Sequence, residues 1–186
     1  NQQIVLQEYL GTIEECKNRV ERLTNQIRLL LPQWRLCSVV EALQTLRGVS
    51  LIVAVTTVAE VGDLNRFDNP SQLMACLGLV PSENSSGEKT RRGGITKTGN
   101  GHVRRVLIQA AWAYRLPARV SRTLHNRQQG LPESVCSISW DAQLRLCGRY
   151  TRLLERGKTK QLIVTAIARE LSAFMWAIAR EVPAPA

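Results

Sequence analysis

The first part of this chain, residues 1–31, carries an apolar repeat that strongly constrains its fold. Apolar side chains recur at alternating spacings of three and four residues, at Leu6, Tyr9, Ile13, Cys16, Val20, Leu23, Ile27 and Leu30. This spacing is typical of a coiled coil, because a period of 3.5 residues keeps one stripe facing a partner helix. Pro32 lacks a backbone N–H and ends the helix. We predict a coiled-coil oligomerisation helix within residues 1–37; the alternative is an amphipathic helix packed on its own domain.

The remaining residues favour a compact, mainly α-helical domain over residues 38–182, followed by a frayed tail at 183–186. Asn69 and Pro70 have the types preferred at a helix start, and Asn100 is a second candidate N-cap. Apolar residues at helical spacing predict two long helices, from Ser134 to about Arg156 and from Lys160 to about Glu181. Their predicted core residues include Leu144 and Leu162.

Two short predicted helices flank Gly48 within Val39–Asp63. The segment resembles a helix-hairpin-helix, whose turn binds a phosphate through backbone N–H groups regardless of base sequence. Ser50 stands where that motif usually has its second glycine. Two roles stay open for this element, phosphate binding and packing through Leu46, Val49 and Ile52.

The charge balance indicates a polyanionic partner. Lys and Arg number 25 against 15 Asp and Glu, which gives a net charge of +10 and a pI near 10.0. Nucleic acid is the first candidate. The N-terminus lacks the layout of a signal peptide, no membrane span is evident, and the five scattered cysteines favour buried, reduced thiols. We expect an intracellular protein with no membrane partner.

The central loop, Ser85–Arg105, combines glycines and cations as a phosphate site does. Glycines allow backbone N–H groups to approach a ligand, and the Asn100-capped helix directs its positive end toward the same loop. The predicted DNA- and phosphate-binding residues are Gly87, Lys89, Arg91, Arg92, Lys97, Asn100, Arg104 and Arg105. The alternative from composition alone is a solvated basic loop.

Beyond these patterns, the chain resembles a known family. The string GLVPSENSSGEKTRRGGITKTGN from Gly78 to Asn100, followed by HVRRVLIQAAWAYR, resembles the C-terminal transposase domain of the insertion sequence 110 family. These are serine-dependent, RNA-guided DNA recombinases related to the pilin-gene invertases. The likeness extends upstream to LRGVSLIVAVTTVAEVGDLNRF and downstream to RGKTKQLIVTAIARELSAFMWAIAR, so it covers most of residues 38–180.

The resemblance implies a reaction and a set of partners. The family's serine falls on Ser86, before Gly87, with Ser85 as the alternative register; its hydroxyl would attack a DNA phosphodiester and form a phosphoserine link. The family also implies a guide RNA, a dimer or tetramer formed through the coiled coil, and a RuvC-like domain whose acidic residues bind Mg²⁺. Nothing in this chain resembles that domain, and we expect the chain to be an inactive fragment of a bacterial, cytoplasmic protein that acts on the nucleoid.

A second basic cluster contains Arg115, Arg119, Arg122, His125 and Arg127. It has the charge to follow a nucleic-acid backbone, and the alternative is a solvated linker. His102 and His125 lack the spacing of a metal site. Two rival functions remain at this stage, a non-catalytic nucleic-acid-binding and oligomerisation module and a repair-type helix-hairpin-helix domain.

Overall fold

The computed structural model describes residues 2–83 and 92–182. The chain divides into two compact units, Asn1–Cys37 and Ser38–Ala186. The predicted fold class is confirmed, with a long N-terminal helix, a compact helical unit and two short strands among the described residues.

The first unit is a single long helix, α1, over Gln2–Leu30. A 3-10 turn at Leu31–Gln33 follows it, with Pro32 in its first turn. None of the residues of α1 is buried. Its heptad positions are open to solvent, with Tyr9 67% and Val20 63% exposed, except that Ile27 is half-buried. The predicted helix and its end at Pro32 are both confirmed.

The second unit contains seven helices and one two-stranded ribbon among its described residues. The helices are α2 Cys37–Leu43, α3 Leu51–Val61, α4 Pro70–Cys76, α5 Gly101–Ala111, α6 Arg122–Gln128, α7 Glu133–Glu155 and α8 Lys160–Glu181; the strands are β1 Pro81–Glu83 and β2 Arg92–Ile95. Short 3-10 turns lie at Leu64–Arg66 and Trp112–Arg115.

Helix α8 is the centre of this unit and packs against α4, α5 and α7. Its inner face includes Ile163, Ile167 and Leu171, all fully buried. Burying each such side chain stabilises the fold by about 1.5–3 kcal/mol. By length and composition alone α8 could cross a membrane, yet 56% of its apolar window is buried within the protein, as in a core helix.

Two residues predicted for the core lie outside it. Leu144 on α7 is 51% exposed and Leu162 on α8 is 53% exposed. Both are on the outer sides of helices whose opposite faces, Leu146 and Ile163, are fully buried. Helical spacing identifies an apolar residue as compatible with the core, but only the packing partner decides which face is covered.

Polar contacts fix α7 within the unit. Glu170 on α8 is nearly buried and pairs with Arg145 at 3.0 Å and Arg149 at 2.8 Å, both on α7. A buried carboxylate is tolerated when cations and hydrogen bonds replace its water. At the other end of α7, the buried Ser139 hydroxyl donates to the Thr45 carbonyl beyond α2. These contacts tie α7 to both of its neighbours.

The turn between α2 and α3 explains Gly48. Gly48 has a φ of +82°, and a Cβ at this position would collide with the carbonyl oxygen of Ala110 in α5. Leu46 and Val49 beside it are fully buried. The two predicted helices around Gly48 are confirmed, and the turn packs closely against α5.

Helix α6 lies within the second basic cluster, for which a solvated linker is the alternative interpretation of the sequence. Its N-cap is Ser121, whose hydroxyl oxygen accepts from the Leu124 backbone N–H at 3.2 Å. Leu124 is buried and anchors the short helix. An N-cap serine followed by a single apolar anchor is a weak sequence signal, so the sequence alone did not predict this short helix.

Candidate functional site

Strands β1 and β2 form an antiparallel ribbon, and β2 lies within the central loop. Pro81 of β1 pairs with Ile95 of β2, and Glu83 pairs with Arg92. The Ser82 hydroxyl donates to the Gly94 carbonyl across the ribbon at 3.0 Å. Residues 84–91 connect the two strands, so Ser86, Ser85, Gly87, Lys89 and Arg91 lie outside the described residues. Of the predicted set, the backbone of Arg92 is described as the start of β2.

Backbone hydrogen bonds join the segment that precedes β1 to the segment that follows β2. The N–H of Thr96 donates to the Val80 carbonyl at 2.9 Å, and the N–H of Lys97 donates to the Gly78 carbonyl at 3.1 Å. Gly99 has a φ of +115°, and a Cβ there would collide with the Cys76 carbonyl. Gly99 is therefore required for the close approach of two backbone segments. This use differs from the predicted one, in which the glycine made room for a ligand.

Asn100 caps α5 as predicted. Its side-chain oxygen accepts from the Val103 N–H at 3.0 Å. Its amide nitrogen donates to the Glu60 carboxylate at 2.7 Å, a contact between α5 and α3 that the sequence did not indicate. Both ends of the amide have partners within the chain. A phosphate bound by Asn100 would have to replace the Glu60 carboxylate near the positive end of the helix.

Arg104 and Arg105 have different surroundings. The Arg104 guanidinium donates to the Leu77 carbonyl at 3.0 Å and is half-buried. This bond places a cation at the C-terminal end of α4, where the exposed carbonyls favour positive charge. Arg105 is exposed, and its side chain has no hydrogen bond or ion pair with any residue of the described ranges. Arg105 is thus the freer of the two predicted phosphate ligands.

A groove of about 430 Å³ runs between the ribbon and the first half of α8. The ribbon side contributes Pro81, Ile95 and Lys97, and the helix side contributes Leu162 and Arg169. Arg169 was not predicted as a site residue, because it lies within an apolar helix far along the chain. The groove brings two cations next to the strands that carry residues 84–91.

No metal site is evident in the described part of the chain. Within residues 2–83 and 92–182, no group of three or more His, Cys, Asp or Glu side chains is arranged to hold a metal ion. His102 lies on α5 and His125 on α6, and both are exposed. The five cysteines all lie within these ranges, and none of them forms a disulfide there.

Comparison with known proteins finds a family that matches part of this chain. Residues 40–126 match the family described as "Transposase IS116/IS110/IS902 family". The chain is 49% identical over 179 residues to "Putative transposase y4qE" of Sinorhizobium fredii, an alignment that covers 96% of the chain and 43% of that protein. It is 30% identical over 141 residues to "Probable family 20 transposase" of Pseudomonas aeruginosa, covering 73% of the chain and 40% of that protein.

A third relative matches a shorter region. The "Transposase for insertion sequence element IS1111A" of Coxiella burnetii is 41% identical over 73 residues, which is 39% of the chain and 20% of that protein. The chain therefore spans less than half the length of these curated relatives. The family match covers the α2–α3 turn, the ribbon and α5, the elements that build the site described above.

Proposed function

We propose that this chain is the C-terminal part of a transposase of the insertion sequence 110 family, one that cuts and rejoins DNA through a phosphoserine intermediate. The observation that carries this proposal is the similarity to a transposase along 96% of the chain. The family match over residues 40–126 includes the central loop with Ser86 and supports the same assignment.

In the proposed reaction, Ser86 is the nucleophile. Its hydroxyl oxygen bonds to the phosphorus of a DNA phosphodiester, and the bond from phosphorus to the departing sugar oxygen breaks. The serine proton leaves to a general base, and the departing sugar oxygen takes up a proton. Attack by a sugar hydroxyl of the recombining strand then reverses these steps, which releases Ser86 and joins the new DNA strands.

The chain's cations have a defined part in this reaction. A phosphodiester under attack develops extra negative charge on its non-bridging oxygens, and fixed cations stabilise that charge in the transition state. The candidates are Lys89 and Arg91 from the sequence between the strands, Arg92 at the start of β2, Lys97 after β2, and Arg105 on α5. Arg104 contributes from its fixed position on the Leu77 carbonyl. Gly87 leaves the backbone beside Ser86 open to the phosphate.

The general base and metal are assigned to another domain. Following the family resemblance, acidic residues of a RuvC-like domain would hold Mg²⁺ and supply charge stabilisation and proton removal at the same phosphate. Guide RNA would select the DNA, and a second protomer paired through α1 would complete the assembly.

The exposed heptad positions of α1 favour a second candidate function. A non-catalytic nucleic-acid-binding and oligomerisation module would need the same seam and the same net charge of +10. In that case Ser86 would only help to shape a turn. The two functions differ in one observable, the covalent protein–DNA link.

The decisive experiment replaces Ser86 with alanine in the full-length protein supplied with its RNA and DNA. We expect recombination and the DNA-linked peptide detected by mass spectrometry to be lost, because no neighbouring group can form the same bond. DNA affinity and folding should change by much less than the ~1 kcal/mol of a typical damaging substitution. Ser85→Ala, which removes the neighbouring hydroxyl, is the matched control. Recombination by Ser86→Ala, or an adduct on Ser85 or Ser82, would exclude Ser86.

A further inference from the structure

A second groove lies away from the ribbon, between the α2–α3 turn and the segment that leads into α6. Its volume is about 850 Å³, and its lining includes Arg47, Arg119, Arg127, Ser121, Thr123 and Leu116. We call it the arginine groove. Arg47 precedes Gly48 in the turn, whereas the other residues come from the second basic cluster and its surroundings. Folding thus brings the α2–α3 turn close to cations that are far away in sequence.

Two of the arginines are held in place without losing their charge. The Arg47 guanidinium donates to the Pro117 carbonyl at 2.7 Å, and the Arg127 guanidinium donates to the Val49 carbonyl at 3.3 Å. Both acceptors are neutral backbone carbonyls, so these bonds orient the guanidinium groups without neutralising their charges. The same bonds hold the α2–α3 turn against α6 and the segment that precedes it.

The surroundings do not supply a neutralising anion within the groove. No acidic residue is among those that line it in the described structure. Cys147 lies 4.0 Å from the Arg47 guanidinium. Burial raises the pKa of the Cys147 thiol despite the opposing effect of Arg47, so this group stays protonated at neutral pH. The Arg119 side chain is exposed and has no hydrogen bond or ion pair with the described residues.

We infer that the arginine groove binds the phosphodiester backbone of a nucleic acid, as a contact surface separate from the ribbon. Guanidinium groups form paired hydrogen bonds to phosphate oxygens, and the hydroxyls of Ser121 and Thr123 are further donors. Leu116, which is 52% exposed, offers an apolar surface to the sugars. We assign these arginines to phosphate oxygens, and contacts of that kind carry no sequence information, so the groove would position the nucleic acid without reading its sequence.

This inference rests on the proposed function for the identity of its ligand. Duplex DNA and structured RNA share the backbone chemistry, and parallel titrations distinguish them. Arg119 is the best residue to change, because its side chain supports no other part of the described fold. Arg127 also borders a smaller cavity that contains Glu41, so its substitution would alter more than the groove.

The test measures affinity against salt for Arg119→Gln, with Arg152→Gln on the outer face of α7 as a control of equal charge change. Removing one phosphate contact should reduce the slope of log affinity against log salt by about 0.9. When salt rises from 50 to 200 mM, the affinity of Arg119→Gln should therefore fall by a factor roughly 3.5 times smaller than that of wild type. Arg152→Gln should keep the wild-type slope with both DNA and RNA.

The outcomes separate this inference from the proposed function. Equal slopes for Arg119→Gln and Arg152→Gln on both nucleic acids would overturn the groove assignment, even if the full-length protein still formed the Ser86 adduct. A reduced slope specific to Arg119→Gln would support the groove, even in a protein that forms no adduct. A change with RNA but not with DNA would assign the groove to the RNA. Thermal unfolding of both variants should match wild type.

Discussion

Lys97 combines an unusual backbone with a predicted phosphate contact. Its φ is +58°, the left-handed region, and its N–H is held by the Gly78 carbonyl. A residue with a side chain in this region costs free energy, which glycine avoids. The conformation is imposed by the backbone bonds between residues 76–80 and 96–100, and it directs a lysine into the groove beside the ribbon.

Two substitutions at Lys97 that both remove its charge test the cost of its backbone conformation. We expect Lys97→Gly to leave the free energy of unfolding nearly unchanged, since relief of the left-handed backbone offsets the greater freedom of glycine in the unfolded chain. Lys97→Val should destabilise by about 1 kcal/mol or more, because β-branched side chains tolerate this region poorly. Urea unfolding monitored by circular dichroism measures both. Equal stability of the two variants would contradict this explanation.

Asn100 and Arg104 show how a predicted ligand can also serve the fold. Both were expected at a phosphate site, and both have partners within the chain, Glu60 and Leu77 respectively. These bonds connect α5 to α3 and α4. Their roles toward DNA stay predictions, and a loss of binding on substitution would have to be separated from a loss of stability.

At the scale of elements, α1 presents an unfilled apolar seam. Leu6, Ile13 and Leu23 are all about half exposed or more along one stripe of the helix. A seam of this kind is stable when a second helix covers it. The proposed pairing of protomers uses this stripe.

Replacing Val20 and Leu23 with lysine tests the seam. Both residues are exposed in the single chain, so the change should cost the folded monomer little. In a paired helix it would place like charges together at a and d positions, and we expect the oligomer to dissociate. Light scattering should report a smaller mass, whereas Glu14 and Arg22 replaced together by lysine and glutamate provide a surface control. An unchanged mass would show that α1 does not pair through this stripe.

The ribbon and α8 together line one groove. Two short strands alone are only marginally stable, and α8 lies across a groove from them. Ile95 and Pro81 face the groove shared with Leu162 of α8. The exposure of Leu162, unexpected for a core helix, is explained by this position at the edge of the groove.

For the molecule as a whole, the charge balance predicts salt-sensitive binding. The net charge is +10, and the described residues that line the arginine groove and the groove beside the ribbon include cations and no acidic residue. If ~6 phosphates are contacted, affinity should fall roughly a thousandfold between 50 and 200 mM salt. A titration by fluorescence anisotropy with duplexes of unrelated sequence checks this. A flat salt response, or strong preference for one sequence, would contradict it.

Local structure and the family resemblance follow from the amino-acid sequence alone. The heptads predicted α1, Asn69 and Asn100 predicted two helix starts, and Gly48 marked the α2–α3 turn, because capping and periodicity depend on neighbours along the chain. The motifs around Gly78–Asn100 indicated the transposase resemblance without any tertiary information.

Which distant residues meet depends instead on the folded arrangement of the helices. Arg47 lies beside Arg119 and Arg127, Glu60 receives the Asn100 amide, and Arg169 lies opposite Lys97. No local pattern specifies these contacts, because they depend on how elements that are distant in sequence pack against one another. The same packing left Leu144 and Leu162 exposed, since helical spacing fixes a residue's face but not whether another element covers it.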